Sequence, residues 1–225
     1  MRNVLILGDS YSTYEGYIPE GYKTYYYLNG PDDVPAFRKI NVEDTWWKQV
    51  LDLSGDNLLL NNSWSGSTIG YTGYDNVDCS KSNSFIYRFR QLRYSGFFKE
   101  NVVDTVFLFG GTNDSWSDAP LGEIKLSDWE EQDLYFVLPA ICYLTKSIKT
   151  ELPDANIYFL INTDIKTEIA DCIKQCCANY GVTAIELENI EKECGHPTIR
   201  GMKSISRQVL DKYKNNSKIK EDTKR

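Results

Sequence analysis

Imidazole is almost missing from this chain: its 225 residues include one histidine, His196. That scarcity leaves no Cys/His set of zinc spacing, and no Cys-x-x-Cys pair compensates for it. A basic excess is lacking too. Lys and Arg number 25 against 32 Asp and Glu, and the net charge of -7 argues against a nucleic-acid surface. No run approaches the ~20 apolar residues of a membrane span. Neither G-x-G-x-x-G nor a P-loop is found, which removes the phosphate cradles a nucleotide binder of similar architecture needs.

The opening "MRNVLILGDS" enters Gly-Asp-Ser rather than a small-residue cleavage site, so it reads as a core strand and not as a signal peptide. A cytoplasmic address is expected on that ground, with an exported form trimmed of its signal left open. Cys79, Cys142, Cys172, Cys176, Cys177 and Cys194 read as small thiols of a reducing compartment, and a disulfide at Cys79 or Cys194 stays open.

With 41% hydrophobic and 25% charged residues, the chain has the composition of a globular protein with a substantial core. Five apolar runs stand out, at 3–9, 57–64, 103–111, 155–163 and 181–187. Each is short and nearly continuous, as strands buried on both faces are. Helical spacing marks 129–151, 166–179 and 199–214. The alternation predicts one α/β domain over 1–214, a three-layer α/β/α sandwich of flavodoxin-like type with about five parallel strands. Residues 215–225 form a polar tail expected to fray.

Ligands of such sheets bind at the carboxyl ends of the strands. Four polar stretches fall there. "GDSYS" follows the first run and places Ser10 where a helix could begin. "NNSWSGST" follows the second, with Asn61, Asn62 and Gly66. "FGGTND" follows the third and offers the Asn113 amide, and "ECGHPTIRGM" after the fifth carries His196. Alone, each is compatible with an ordinary cap or polar turn.

Together they resemble the GDSL, or SGNH, hydrolase superfamily, named for Ser, Gly, Asn and His in four ordered blocks. The likeness spans residues 3 to 202 and includes a bacterial branch of lipase/acylhydrolases. It implies a serine esterase without metal or other cofactor. Ser10 would be the nucleophile and His196 the base. The Ser10 and Gly66 N–H groups and the Asn113 amide would form the oxyanion hole.

The family's Asp three residues before the histidine is replaced by Glu193, with Glu191 and Glu188 as competitors. Some family members instead hold the imidazole with a backbone carbonyl. Seven tyrosines crowd residues 11–30, within a connection of about 35 residues expected to fold over the crevice as an ordered loop. Tyr14, Trp64 and Trp116 are candidate sugar-binding faces, although such rings serve equally as packing anchors. A small ester is the expected partner, in one form an acetylated carbohydrate. The alternative is a non-catalytic carbohydrate-binding relative.

Overall fold

The computed structural model describes the backbone of residues 1–222 and the side chains of residues 1–213. Five strands form one parallel sheet: β1 (Asn3–Gly8), β2 (Asn57–Ser63), β3 (Thr105–Phe109), β4 (Asn156–Ile161) and β5 (Thr183–Glu186). Their order is β2-β1-β3-β4-β5, the flavodoxin-like arrangement. Along β1, Leu5 and Leu7 enter one core and Val4 and Ile6 the other. A strand buried on both faces has no polar face to alternate with, hence the continuous apolar runs.

Helices α1 (Trp46–Ser54) and α7 (Ile199–Asp222) cover one face, and α2 (Phe85–Tyr94), α5 (Val137–Glu151) and α6 (Thr167–Tyr180) cover the other. Two short helices, α3 (Phe97–Glu100) and α4 (Thr112–Trp116), complete the set. A two-residue hairpin, β6 (Lys192–Glu193) with β7 (His196–Pro197), precedes α7.

Three expectations need correction. The helix expected over 129–151 starts only at Val137, after a 3₁₀ segment at Glu131–Tyr135. Pro139 has no N–H to donate back to residue 135, so it is accommodated in the first turn of a helix. The helix expected to end at 214 continues to Asp222, through most of the stretch read as a tail. Residues 223–225 lie outside those described. Finally, no helix follows Ser10: residues 9–12 make one turn, closed by the Ser12 N–H on the Asp9 carbonyl at 3.1 Å.

All six cysteines are free thiols. No helix among the described residues is long and apolar enough to cross a membrane.

Candidate active site

The four blocks meet at the carboxyl edge of the sheet, at the switch point between β1 and its neighbours. Ser10 follows β1, Gly66 follows β2, and Asn113 lies in α4 directly after β3. His196 arrives on the β6–β7 hairpin. Its Nε2 stands 2.9 Å from Ser10 Oγ and its Nδ1 stands 3.1 Å from the Cys194 carbonyl oxygen. A carbonyl only accepts, so Nδ1 carries the proton and Nε2 is left as the acceptor for the serine hydroxyl.

Glu193 and Glu191 are elsewhere. Glu193 is exposed, and Glu191 accepts from the Thr198 hydroxyl at 2.6 Å and pairs loosely with Arg200. Both line a surface groove of about 270 Å³ with Phe37 and Ile199. Among the described residues no carboxylate hydrogen-bonds the imidazole. The expectation of Glu193, or Glu191, as the acid partner is corrected to the Cys194 carbonyl. The cause is local: Cys194 and Gly195 have φ of 46° and 77°, the two positive values of a type I′ turn. That turn brings the Cys194 carbonyl to the imidazole Nδ1. Gly195 also sits where any Cβ would lie 2.9 Å from the Trp116 ring.

Aromatic side chains do much of the remaining positioning. Tyr25 stacks on His196 with centroids 3.7 Å apart and planes 11° from parallel. The Arg38 guanidinium lies over the Tyr25 ring, 4.1 Å from its centroid, and Arg38 Nε donates to the Tyr25 carbonyl at 2.9 Å. Trp116 meets His196 edge-on at 5.7 Å. Two phenols hold the hairpin itself: Tyr11 donates to the Gly195 carbonyl and Tyr26 to the Pro197 carbonyl, the latter at 2.8 Å. Burial, with smaller contributions from Arg38 and Lys192, pushes the imidazole pKa down to about 4 against the Cys194 hydrogen bond. His196 is therefore neutral at pH 7.

The three donors named for the family blocks, the Ser10 and Gly66 N–H groups and the Asn113 amide, all lie at the carboxyl edge of the sheet, after β1, β2 and β3. The Ser10 and Gly66 backbone N–H groups meet no protein acceptor among the described hydrogen bonds. Gly66 has φ +82°, a conformation that strains most other residues. The Asn113 amide is fixed from both ends: Nδ2 donates to the Ser67 carbonyl at 3.0 Å, and Oδ1 accepts from the Tyr74 hydroxyl at 2.8 Å. One hydrogen of Nδ2 is left over.

Beneath these groups lies a buried polar network that the sequence did not reveal. Arg88 of α2 is 1% exposed and reaches the carbonyls of Gly8, Asn62 and Asn83, the Asn62 amide oxygen and the Ser67 hydroxyl. It clamps the ends of β1 and β2 together. Asn61 Nδ2 donates to the Ser12 carbonyl at 2.8 Å, tying block two to block one. Asp114 accepts from the Ile69 and Gly70 N–H groups, and burial raises its pKa to about 6. Asp9, wholly buried beside Ser10, is raised to about 7, chiefly by desolvation.

Of the expected sugar-binding rings, Trp116 is 39% exposed and Trp64 is half-buried against Tyr22 at 4.3 Å. Tyr14 is corrected: it is 3% exposed, packs in the core and donates to the Ile40 carbonyl, so its face meets protein.

A five-stranded parallel sheet with serine, glycine, asparagine and histidine blocks at its carboxyl edge defines a hydrolase of the SGNH class. The chain belongs to the GDSL-like lipase/acylhydrolase family, whose profile matches residues 2–213, and is a hydrolase acting on ester bonds. It is similar to a structure described as a GDSL-like lipase from Bacteroides uniformis, at 39% identity over 94% of this chain and 95% of that one, with TM-score 0.85. A corresponding Bacteroides ovatus structure is 36% identical over 96% and 99% of the two chains, with TM-score 0.84. An acetyl xylan esterase from Butyrivibrio proteoclasticus shares the fold at TM-score 0.60 and 16% identity, over 96% of this chain and 64% of that one. No protein of curated function matches the sequence.

Proposed function

We propose that the protein is a serine esterase that removes small acyl groups, acetyl foremost, from carbohydrate hydroxyls. The 2.9 Å approach of His196 Nε2 to Ser10 Oγ carries the catalytic half of this reading. Ser10 Oγ attacks the ester carbonyl carbon as its proton passes to Nε2. The oxyanion takes hydrogen bonds from Ser10 N–H, Gly66 N–H and Asn113 Nδ2. The C–O bond to the alcohol breaks, and the imidazolium gives its proton to the departing oxygen. Water then repeats the sequence on the acyl-serine and releases the acid.

The substrate class rests on the surroundings. Ser10 is only 3% exposed, which favours a short acyl chain, while Trp116 and the Tyr22–Trp64 pair offer flat apolar faces suited to a sugar ring. The acetyl xylan esterase of the same fold supports this choice by analogy.

Ester turnover decides it. With p-nitrophenyl acetate, Ser10→Ala and His196→Ala should each lower kcat/KM by at least ~10²–10⁴-fold. Acetylated xylo-oligosaccharides should be cleaved faster than p-nitrophenyl octanoate. Wild-type rates in either variant contradict the mechanism, and a preference for octanoate contradicts the substrate class.

A further inference from the structure

On the sheet face carrying α5 and α6, three thiols converge. Cys172 and Cys176 lie one turn apart on α6, on the side packed against α5, and α5 supplies Cys142. All three are 0% exposed. Their sulfurs are separated by 3.7 Å (Cys142–Cys172), 3.9 Å (Cys172–Cys176) and 2.8 Å (Cys142–Cys176). One ion about 2.3 Å from each of three sulfurs requires them to lie about 4 Å apart when planar, and closer when the ion sits above their plane. Two edges fall just under the planar spacing and the third is shorter, so a pyramidal complex forms once the Cys142 and Cys176 sulfurs draw slightly apart.

Charge selects the ion. The surroundings are apolar core, including Ile141, Ile169 and Ile173. No cation is paired or hydrogen-bonded to these sulfurs among the described residues. Three thiolates around a monovalent or divalent metal leave a net negative charge buried without compensation, which is costly. Around a trivalent thiophilic centre the complex is neutral.

We propose that Cys142, Cys172 and Cys176 form a buried three-thiol site for trivalent arsenic-type ions, separate from the ester site. Binding is a ligand exchange without redox change. Three S–H groups react with one As(OH)₃, three As–S bonds form, three As–O bonds break, and each hydroxide leaves with a thiol proton as water. Entry requires transient opening between α5 and α6, so uptake is slow.

The full-length protein, reduced and titrated with sodium arsenite, provides the test. Native mass spectrometry should show one adduct per chain, heavier by one arsenic less three hydrogens. X-ray absorption at the arsenic edge should show three sulfurs and no oxygen. Cys142→Ala, Cys172→Ala and Cys176→Ala should each weaken binding by at least the ~10–100-fold that loss of even an outer-shell partner costs at metal sites. Cys79→Ala, Cys177→Ala and Cys194→Ala should bind as wild type, and p-nitrophenyl acetate turnover should be unchanged by the adduct. Because the two wild-type spectra stand alone, poor folding of a variant does not shield the proposal. Absence of the adduct, a two-sulfur adduct, or a loss of two hydrogens from Cys142–Cys176 oxidation in place of arsenic uptake would overturn it.

Discussion

At the scale of single residues, the candidate site holds its imidazole with a neutral carbonyl and a stacked phenol. A carboxylate partner stabilises an imidazolium and raises its pKa, whereas here Arg38 and Lys192 add positive charge to a desolvated ring. With His196 as the proposed base, the acid limb of kcat/KM should therefore fall near pH 4 rather than near 6.5, because protonation removes the acceptor. Arg38→Met should move that limb upward in pH, since a cation opposing the imidazolium is gone. A limb that stays put in a pH–rate profile of the variant contradicts the role of Arg38. Glu193→Gln should keep kcat within about threefold of wild type, where loss of a true triad carboxylate costs ~10⁴. A loss approaching that size in steady-state assays would restore glutamate as the acid.

At the scale of elements, the blocks of the candidate site depend on a helix that contributes none of the four proposed catalytic residues. Arg88 on α2 satisfies backbone carbonyls at the ends of β1 and β2, so Arg88→Met would strand several buried acceptors. The expected cost is about 3–5 kcal/mol, measured by urea denaturation. A loss below ~1 kcal/mol contradicts the clamp. This helix was also the hardest to see. Its core face mixes Phe85, Ile86 and Phe89 with Arg88, and that charge breaks the apolar period of "FIYRFRQLRY". The nine residues of α1 are too few for periodicity to stand out, although Thr45 caps it and Trp46, Trp47, Val50 and Leu51 share its buried face. The strands were legible because double burial writes itself as continuous Val, Ile, Leu and Phe. Ser10, Gly66, Asn113 and His196 were legible as an ordered set. The partner of His196 was not, since a backbone carbonyl leaves no residue type to recognise and the I′ turn at Cys194–Gly195 is a matter of φ alone. The tyrosine-rich connection likewise announced aromatic mass without saying which rings face inward. Tyr11, Tyr14 and Tyr26 are buried, while Tyr25 serves the imidazole.

At the scale of the whole molecule, the polar network under the site ties stability to pH with opposing signs. Asp9 and Asp114 have raised pKa values, so the folded state binds more protons than the unfolded between about pH 4 and pH 7. Their contribution is greatest below the unfolded carboxylate pKa and is lost as pH rises through 6 to 7. His196 runs the other way, since its lowered pKa favours the folded state above about pH 6.5 and costs stability as pH falls towards 4. Asp9→Asn should therefore raise Tm relative to wild type by more at pH 8 than at pH 5, followed by calorimetry. An equal effect at both values contradicts an Asp9 that is protonated in the acid range.

The account as a whole turns on a Ser10 hydroxyl activated by His196. Peptide mapping of the native protein after fluorophosphonate treatment tests this most directly. Stoichiometric phosphonylation of Ser10, abolished in His196→Ala, is the predicted result. A folded wild type that stays unlabelled, or that carries the label on another serine, contradicts it.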